Sequence, residues 1–170
     1  LSKVIVAVDS EETKNVINCQ NIMMTSDKHQ SGTDRVAEVA NNFDCDIVVN
    51  IQGDEPGIDP LLIDQLITLF DDPNVEMASI ASTDLEEDDL NNDNVVKVNL
   101  DKENNAISFI RNNLNPDLTY YRHIGIYAYR KNTLNLFTSL TQSDNEKNHR
   151  LEQLRALDNN IAIKLLISDF

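Results

Sequence analysis

Short β-branched runs alternate with helical patterns through the first half of this chain, and that alternation is what most limits its fold. Val4–Val8 is a continuous apolar run, the composition of a parallel strand covered on both faces. Residues 9–17 predict a short helix, with Asp9 or Ser10 as cap and acidic residues in its first turn. Val36, Ala37, Val39, Ala40 and Phe43 recur at helical spacing, behind Ser31 and Thr33, either of which can cap. Ile47–Ile51 predicts a second buried strand. Asp59-Pro60 then opens a helix, Asp as N-cap and Pro at the first position, running through Leu62, Ile63, Leu66, Ile67 and Phe70 until Asp72-Pro73. Met77–Ser82 predicts a third strand. Strands and helices at this spacing predict an α/β domain with a largely parallel sheet.

The pattern changes after residue 90. "VVKVNL" and "AISFI" flank "DKENN", which predicts a β-hairpin rather than a βαβ unit. "HIGIYAYR" sets Ile124, Ile126 and Ala128 against Gly125, Tyr127 and Tyr129, the alternation of a half-buried strand. Leu134–Leu140 and Leu151–Leu157 predict short helices, and Ile161–Ile167 a closing strand. No repeat or linker divides residues 1–170, so one domain is expected. The chain opens without Met on a strand-like run and ends on another, so we expect a piece of something longer.

A net charge of −15 argues against a nucleic-acid or acidic-membrane surface, but not against a small nucleoside triphosphate, where local fields decide. No apolar run approaches the ~20 residues of a membrane span, and no leader pattern precedes the first strand, so a cytoplasmic location is the default expectation. Cys19 and Cys45 match no metal or redox spacing, and Cys45 is expected to be a small core residue.

Chemistry concentrates in four stretches. "DIVVNIQGDEPGIDP", residues 46–60, brings Gln52, Asp54 and Glu55 to the end of a buried strand. In open α/β sheets ligands bind outside the carboxyl ends of strands, and a hard cation such as Mg²⁺ needs only one or two protein carboxylates there. An ordinary polar turn is the competing explanation. In "MTSDKHQSGTDR", Ser31, Gly32 and Thr33 precede a helix start that favours anionic groups, and Arg35 adds a donor fork; a plain capped helix would look the same. His123 and Tyr127 in "YYRHIGIYAYR" lie on one strand face, where an aromatic face with satisfied polar tips competes equally. Glu152 and Arg155 in "RLEQLRAL" stand three apart on a helix, a spacing usually filled by a surface salt bridge.

Together, "HQSGTDRVAEV", "VVNIQGDEP", "RHIGIYAYR" and "LEQLRAL" strongly resemble the 3-deoxy-manno-octulosonate cytidylyltransferase family, from Val4 to Leu157. The resemblance implies a three-layer α/β fold, a mostly parallel (mixed) sheet flanked by helices, of the nucleotide-diphospho-sugar transferase type with a β-hairpin insertion. It implies transfer of CMP from CTP to the anomeric hydroxyl of 3-deoxy-D-manno-octulosonate (Kdo), for lipopolysaccharide synthesis, with Mg²⁺ as cofactor and a homodimer as the working form. Asp54 matches the catalytic metal-ligand aspartate; Ser31, Gly32, Thr33 and Arg35 match the nucleotide side. Gln52, Arg111, His123, Tyr127 and Glu152 match the sugar site, with Arg155 supporting that pocket. Glu55 is left without a role. The dimer is expected to use apolar residues near Ile124–Tyr129.

The sequence departs from the family pattern at both ends. An Arg- and Lys-bearing glycine loop after the first strand is absent, and so is the C-terminal segment with a second metal-ligand aspartate, for which Asp169 has the wrong surroundings. These departures predict a family domain incomplete at its N- and C-termini. Transfer to another sugar acid, the 8-amino analogue or a sialic-acid-like compound, is the alternative within the class. A non-catalytic α/β binding module is the alternative outside it.

Overall fold

The computed structural model describes residues 2–53 and 57–169. Its elements run β1 (Val6–Val8), α1 (Glu11–Val16), β2 (Ile22–Met24), α2 (Gly32–Ala40), β3 (Ile47–Asn50), α3 (Pro60–Thr68) and β4 (Met77–Ser82). There follow α4 (Glu87–Leu90), β5 (Lys97–Leu100), β6 (Ala106–Ile110), β7 (Tyr121–Arg130), α5 (Lys131–Ser139), α6 (Asp144–His149), α7 (Leu154–Asp158) and β8 (Ile163–Ser168).

Five strands of the main sheet are ordered β6-β5-β7-β4-β8, and β3 lies beside β7. Strands β3, β4 and β8 share one direction; β7 runs against them and separates β3 from β4. The sheet is therefore mixed, and β4–β8 is its one parallel ladder among the described residues. Less of the pairing is parallel than the alternating pattern predicts, because the late strand β7 inserts between two early ones.

Helices cover both faces, which gives the expected three layers. On one face Ala37 and Ala40 of α2, Leu134 and Phe137 of α5, and Ala156 of α7 pack with Met77, Ala81, Tyr127 and Tyr129. On the other, Leu62 and Leu66 of α3 and the following Phe70 pack with Ala78, Ile80, Ile124, Ile126 and Ala128. β7 is thus buried on both faces rather than half-buried, with Ile126 and Ala128 fully enclosed and Tyr127 and Tyr129 nearly so. For the same reason the stretch Ile124–Tyr129 cannot supply the dimer surface expected from the sequence.

The first strand also differs from expectation. β1 pairs in parallel with β2 in a separate two-stranded sheet; Val8 is buried, while Val4 is 63% exposed and outside the strand. An apolar run predicts coverage on both faces only if neighbouring layers exist there. The hairpin is as predicted: β5 and β6 pair antiparallel, and the Asp101 carboxylate accepts from the backbone N–H groups of Glu103 and Asn105, both at 2.8 Å. Asn104 takes the left-handed backbone (φ 61°) that this turn requires and that Asn tolerates. Among the described residues no helix is long and apolar enough to cross a membrane.

Helix α3 offers a direct check on the layer assignment. Leu66 is fully buried and Leu61, five residues earlier, is 65% exposed. Leu66→Ala is expected to cost about 2–5 kcal/mol of stability, and Leu61→Ala under about 0.5 kcal/mol, measured by urea unfolding. Equal losses would refute the burial pattern of this face.

Candidate functional site

A cavity of about 680 Å³ opens where two strands share one edge of β7. β3 pairs along residues 127–130 of β7 and β5 along residues 121–122, so no strand ladder covers the edge between them. Gln52, just past β3, and Val95 and Val96, just before β5, line the resulting gap. The opposite edge is irregular too. β4 follows β7 with Ser79 beside Tyr127, then jumps to Ile80 beside Ile124. The extra residues Gly125 and Ile126 form a bulge, the kind of device that re-aims side chains beside sites.

Five of the residues expected on the sugar side meet in this cavity: Gln52, Arg111, His123, Tyr127 and Glu152 all line it. His123 stands at its wall, edge-on to Phe109 at 5.0 Å between ring centroids and tilted against Tyr127 at 5.4 Å. Its Nε2 lies 2.9 Å from Ser79 Oγ. Burial lowers the imidazole to about 3, so the ring is neutral at working pH. Burial likewise holds the Tyr127 phenol well above its ordinary range, aided by the neighbouring Tyr129 phenol and Glu152 carboxyl. Both aromatic groups therefore face a ligand uncharged.

Glu152 is fixed from below. Its Oε2 accepts a 2.6 Å hydrogen bond from Thr33, whose hydroxyl also lies 3.4 Å from Asn50 Nδ2. Its Oε1 is buried without a hydrogen bond, 3.5 Å from Arg155 Nη2. The Arg155 guanidinium is itself buried and spends two donors on Glu146, Nε to Oε2 at 2.8 Å and Nη2 to Oε1 at 2.5 Å. Burial pushes the Glu146 carboxyl up, but the hydrogen bonds and charge of Arg155 outweigh it and hold Glu146 below the usual range. The Glu152–Arg155 spacing is therefore not a surface salt bridge. Arg155 lies behind the cavity wall, stacked on Phe137 at 4.8 Å, and supports Glu152 without lining the cavity.

The stretch expected on the nucleotide side sits elsewhere. Ser31 caps α2 and closes a reciprocal capping box with Asp34. Gly32 is exposed, Thr33 is buried against Glu152, and Arg35 is ion-paired with Asp9 while its buried Nε has no hydrogen bond. None of the four lines the cavity. Asp54 and Glu55 lie outside the described residues; Gln52 and Gly53 carry the chain to that point. Among the described residues no three His, Cys, Asp or Glu side chains assemble into a metal cluster.

Other residues of the site escape sequence reading. Arg122, Arg150 and Gln153 also line the cavity, which places three guanidiniums around it with Arg111. Arg122 and Gln153 stand beside quoted motif residues, so position alone could have found them. Lys97 could not be found so: it sits in an apolar strand, is fully buried, and its Nζ donates to the carbonyls of Asn92 at 2.8 Å and Arg111 at 2.6 Å. Desolvation lowers its ammonium pKa, partly opposed by Asp93 and Asp89. Arg111 Nη1 in turn donates to Asp93 O at 2.9 Å, so Lys97 and Arg111 tie one turn together. Such a cavity suits an anionic, polyhydroxylated ligand: guanidiniums for the charge, carboxamides, Glu152 and the neutral rings for hydroxyls.

The neutral His123 has a stability consequence. The folded ring takes a proton only near pH 3, the unfolded ring near 6.5, so between those values the unfolded chain binds more protons. Stability is then lost as pH falls through that window, at most about 1.4 kcal/mol per pH unit from this group. His123→Gln is expected to flatten that part of the slope, compared by urea unfolding of both chains at stepped pH. Identical slopes would place His123 in water-like surroundings.

Comparison with known proteins finds relatives along nearly the whole chain. Residues 1–163 match the family model described as cytidylyltransferase. The 3-deoxy-manno-octulosonate cytidylyltransferase of Koribacter versatilis (strain Ellin345) is 42% identical, over 96% of this chain and 65% of that protein. The enzyme of the same name from Pelobacter propionicus is 37% identical, over all of this chain and 74% of its own length. The chain thus spans about two thirds to three quarters of these relatives. Among solved structures, CMP:2-keto-3-deoxy-manno-octonic acid synthetase complexed with CTP superposes with a TM-score of 0.91 at 31% identity, covering 99% of this chain and 73% of that one. The inositol-1-phosphate CTP transferase of T. maritima, at 13% identity and a TM-score of 0.55, shares the fold alone. With the family model covering nearly the whole chain and relatives this similar, the chain belongs to the cytidylyltransferase family, with the 3-deoxy-manno-octulosonate cytidylyltransferases as its relatives.

Proposed function

We propose that this protein transfers CMP from CTP to the anomeric hydroxyl of Kdo, releasing pyrophosphate. The observation that carries the reading is the convergence of Gln52, Arg111, His123, Tyr127 and Glu152 on one cavity, in a chain whose relatives bear that activity in their names. Arg111 is the group for the sugar's carboxylate, a planar donor fork matched to a planar acceptor. Gln52, the neutral His123 and Tyr127, and Glu152 hold hydroxyls and fix the sugar's face. Positioning of this kind makes attack on a held phosphate effectively intramolecular. Glu152, anchored by Thr33 and Arg155, is preorganised rather than recruited by the ligand.

Asp54 is the proposed Mg²⁺ ligand. One carboxylate, with the remaining positions left to water and phosphate oxygens, is a donor set this cation accepts. Bound there, Mg²⁺ supplies charge neutralisation at the α-phosphate and a lowered pKa for the attacking hydroxyl. Ser31, Gly32, Thr33 and Arg35 are proposed for the nucleotide side on the motif alone, although the Thr33 hydroxyl is spent on Glu152 of the sugar side. A homodimer, a cytoplasmic location and a role in lipopolysaccharide synthesis belong to the same proposal and rest on the family resemblance.

The test is an assay with CTP, Mg²⁺ and a panel of sugar acids: Kdo, its 8-amino analogue and a sialic acid. Pyrophosphate and the CMP-sugar are expected with Kdo, and Asp54→Ala is expected to lower the rate about 100-fold or more while thermal unfolding is unchanged. Preference for another sugar acid would redirect the substrate assignment. Full activity in Asp54→Ala would remove that residue from the metal site.

A further inference from the structure

Ser79 is fully buried in β4. Its Oγ lies 2.8 Å from the carbonyl of Ile126, 3.3 Å from that of Ile124, and 2.9 Å from His123 Nε2. Those carbonyls belong to the bulge, where β7 steps out of register with β4. A hydroxyl carries a single proton. Both carbonyls can only accept, and the nearer, that of Ile126, is assigned as the acceptor of that proton. The lone pairs of Oγ then face His123 Nε2, and this contact is a hydrogen bond only if Nε2 carries the proton.

We propose that Ser79 is a positioning residue that locks His123 as the Nε2–H tautomer, so that the cavity is offered the ring's Nδ1 as a hydrogen-bond acceptor. Among the described residues Nδ1 has no hydrogen-bond partner. Burial, by keeping the ring neutral, points the same way. The consequence is chemical: the ligand atom that meets His123 must be a donor, a hydroxyl rather than a carboxylate oxygen. This fixes which end of a sugar acid lies at His123 and sends the carboxylate to the guanidinium side, at Arg111. The ligand half of the inference rests on the sugar-acid reading above; the tautomer half does not.

Ring-nitrogen NMR of the histidine-labelled protein decides the tautomer without any ligand. Three histidines are present, and His123→Gln assigns the signal. At neutral pH the expected spectrum shows a protonated Nε2 and an unprotonated Nδ1. A protonated Nδ1, as the other tautomer or as imidazolium, overturns the proposal. In the second arm, Ser79→Ala is expected to release the lock, so that both tautomers are seen and Kdo affinity by calorimetry falls roughly five- to tenfold, with CTP affinity retained. Ser79→Thr, which keeps the hydroxyl, is expected to restore the single tautomer. Wild-type Kdo affinity in a folded Ser79→Ala protein would overturn the ligand half. If the unaltered protein binds no sugar acid while the ring spectrum is as expected, the functional reading fails and the tautomer assignment stands.

Discussion

The structure depends on one strand having too many neighbours for a regular ladder. β7 takes β4 along one edge and both β3 and β5 along the other. Because β3 and β5 reach it at different heights, the shared edge is split, and because β4 cannot keep register past Ser79, the other edge bulges. Each irregularity leaves backbone polar groups to satisfy, and buried ones cannot be left unpaired cheaply. The Ser79 hydroxyl answers the bulge. The split becomes the cavity, lined by the segments flanking β3 and β5, by the first half of β7 and by residues 150–153. The half of β7 from Ile126 to Tyr129 is buried on both faces and anchors the strand that carries His123 and Tyr127.

Two buried cations stand behind that cavity. Arg155 answers Glu146 with two charge-assisted bonds, while Lys97 has only carbonyl oxygens within hydrogen-bond reach. Taking charges out of water costs several kcal/mol per ion, and such groups rarely add net stability over apolar residues of equal volume. Their positions suggest a different use. Arg155 holds Glu152 from beneath, and Lys97 gathers the carbonyls of Asn92 and Arg111, whose guanidinium bonds the neighbouring Asp93 carbonyl. Arg155 thereby braces one cavity side chain, and Lys97 ties down the turn that carries another.

Sequence reading succeeded where the signal was local. The capped helix at Ser31, the Asp59-Pro60 helix start, the strand Met77–Ser82 and the hairpin around residues 101–105 are all present, because caps, turns and periodicity are written in neighbouring residues. β2 escaped it, being three residues long with no room for a pattern. α6 escaped it because "DNEKNH" has no apolar stripe, although the Ser143-to-Glu146 capping box announces its start. What no local pattern holds is adjacency. The insertion of β7 between β3 and β4, the burial of Arg155 and the partners of Lys97 depend on which distant segments meet. The residues proposed for the sugar side were legible only as motifs whose meeting place the fold alone reveals.

Charge illustrates the same division between bulk and site. A chain at −15 should repel an anionic substrate, yet three of its fourteen Lys and Arg residues, Arg111, Arg122 and Arg150, converge on one cavity. At physiological ionic strength fields between exposed charges fade over about 8 Å, so acidic residues scattered over the surface are felt weakly inside. The guanidiniums, held close in a recess with low-dielectric walls, are screened less and focus their field on what enters. Glu152 and Asp84 on the same lining keep that field from being uniformly positive. An anion entering must then present its negative group to the arginines and its neutral or donor groups to the carboxylate and the neutral rings. Orientation, more than attraction, is what this distribution of charge provides.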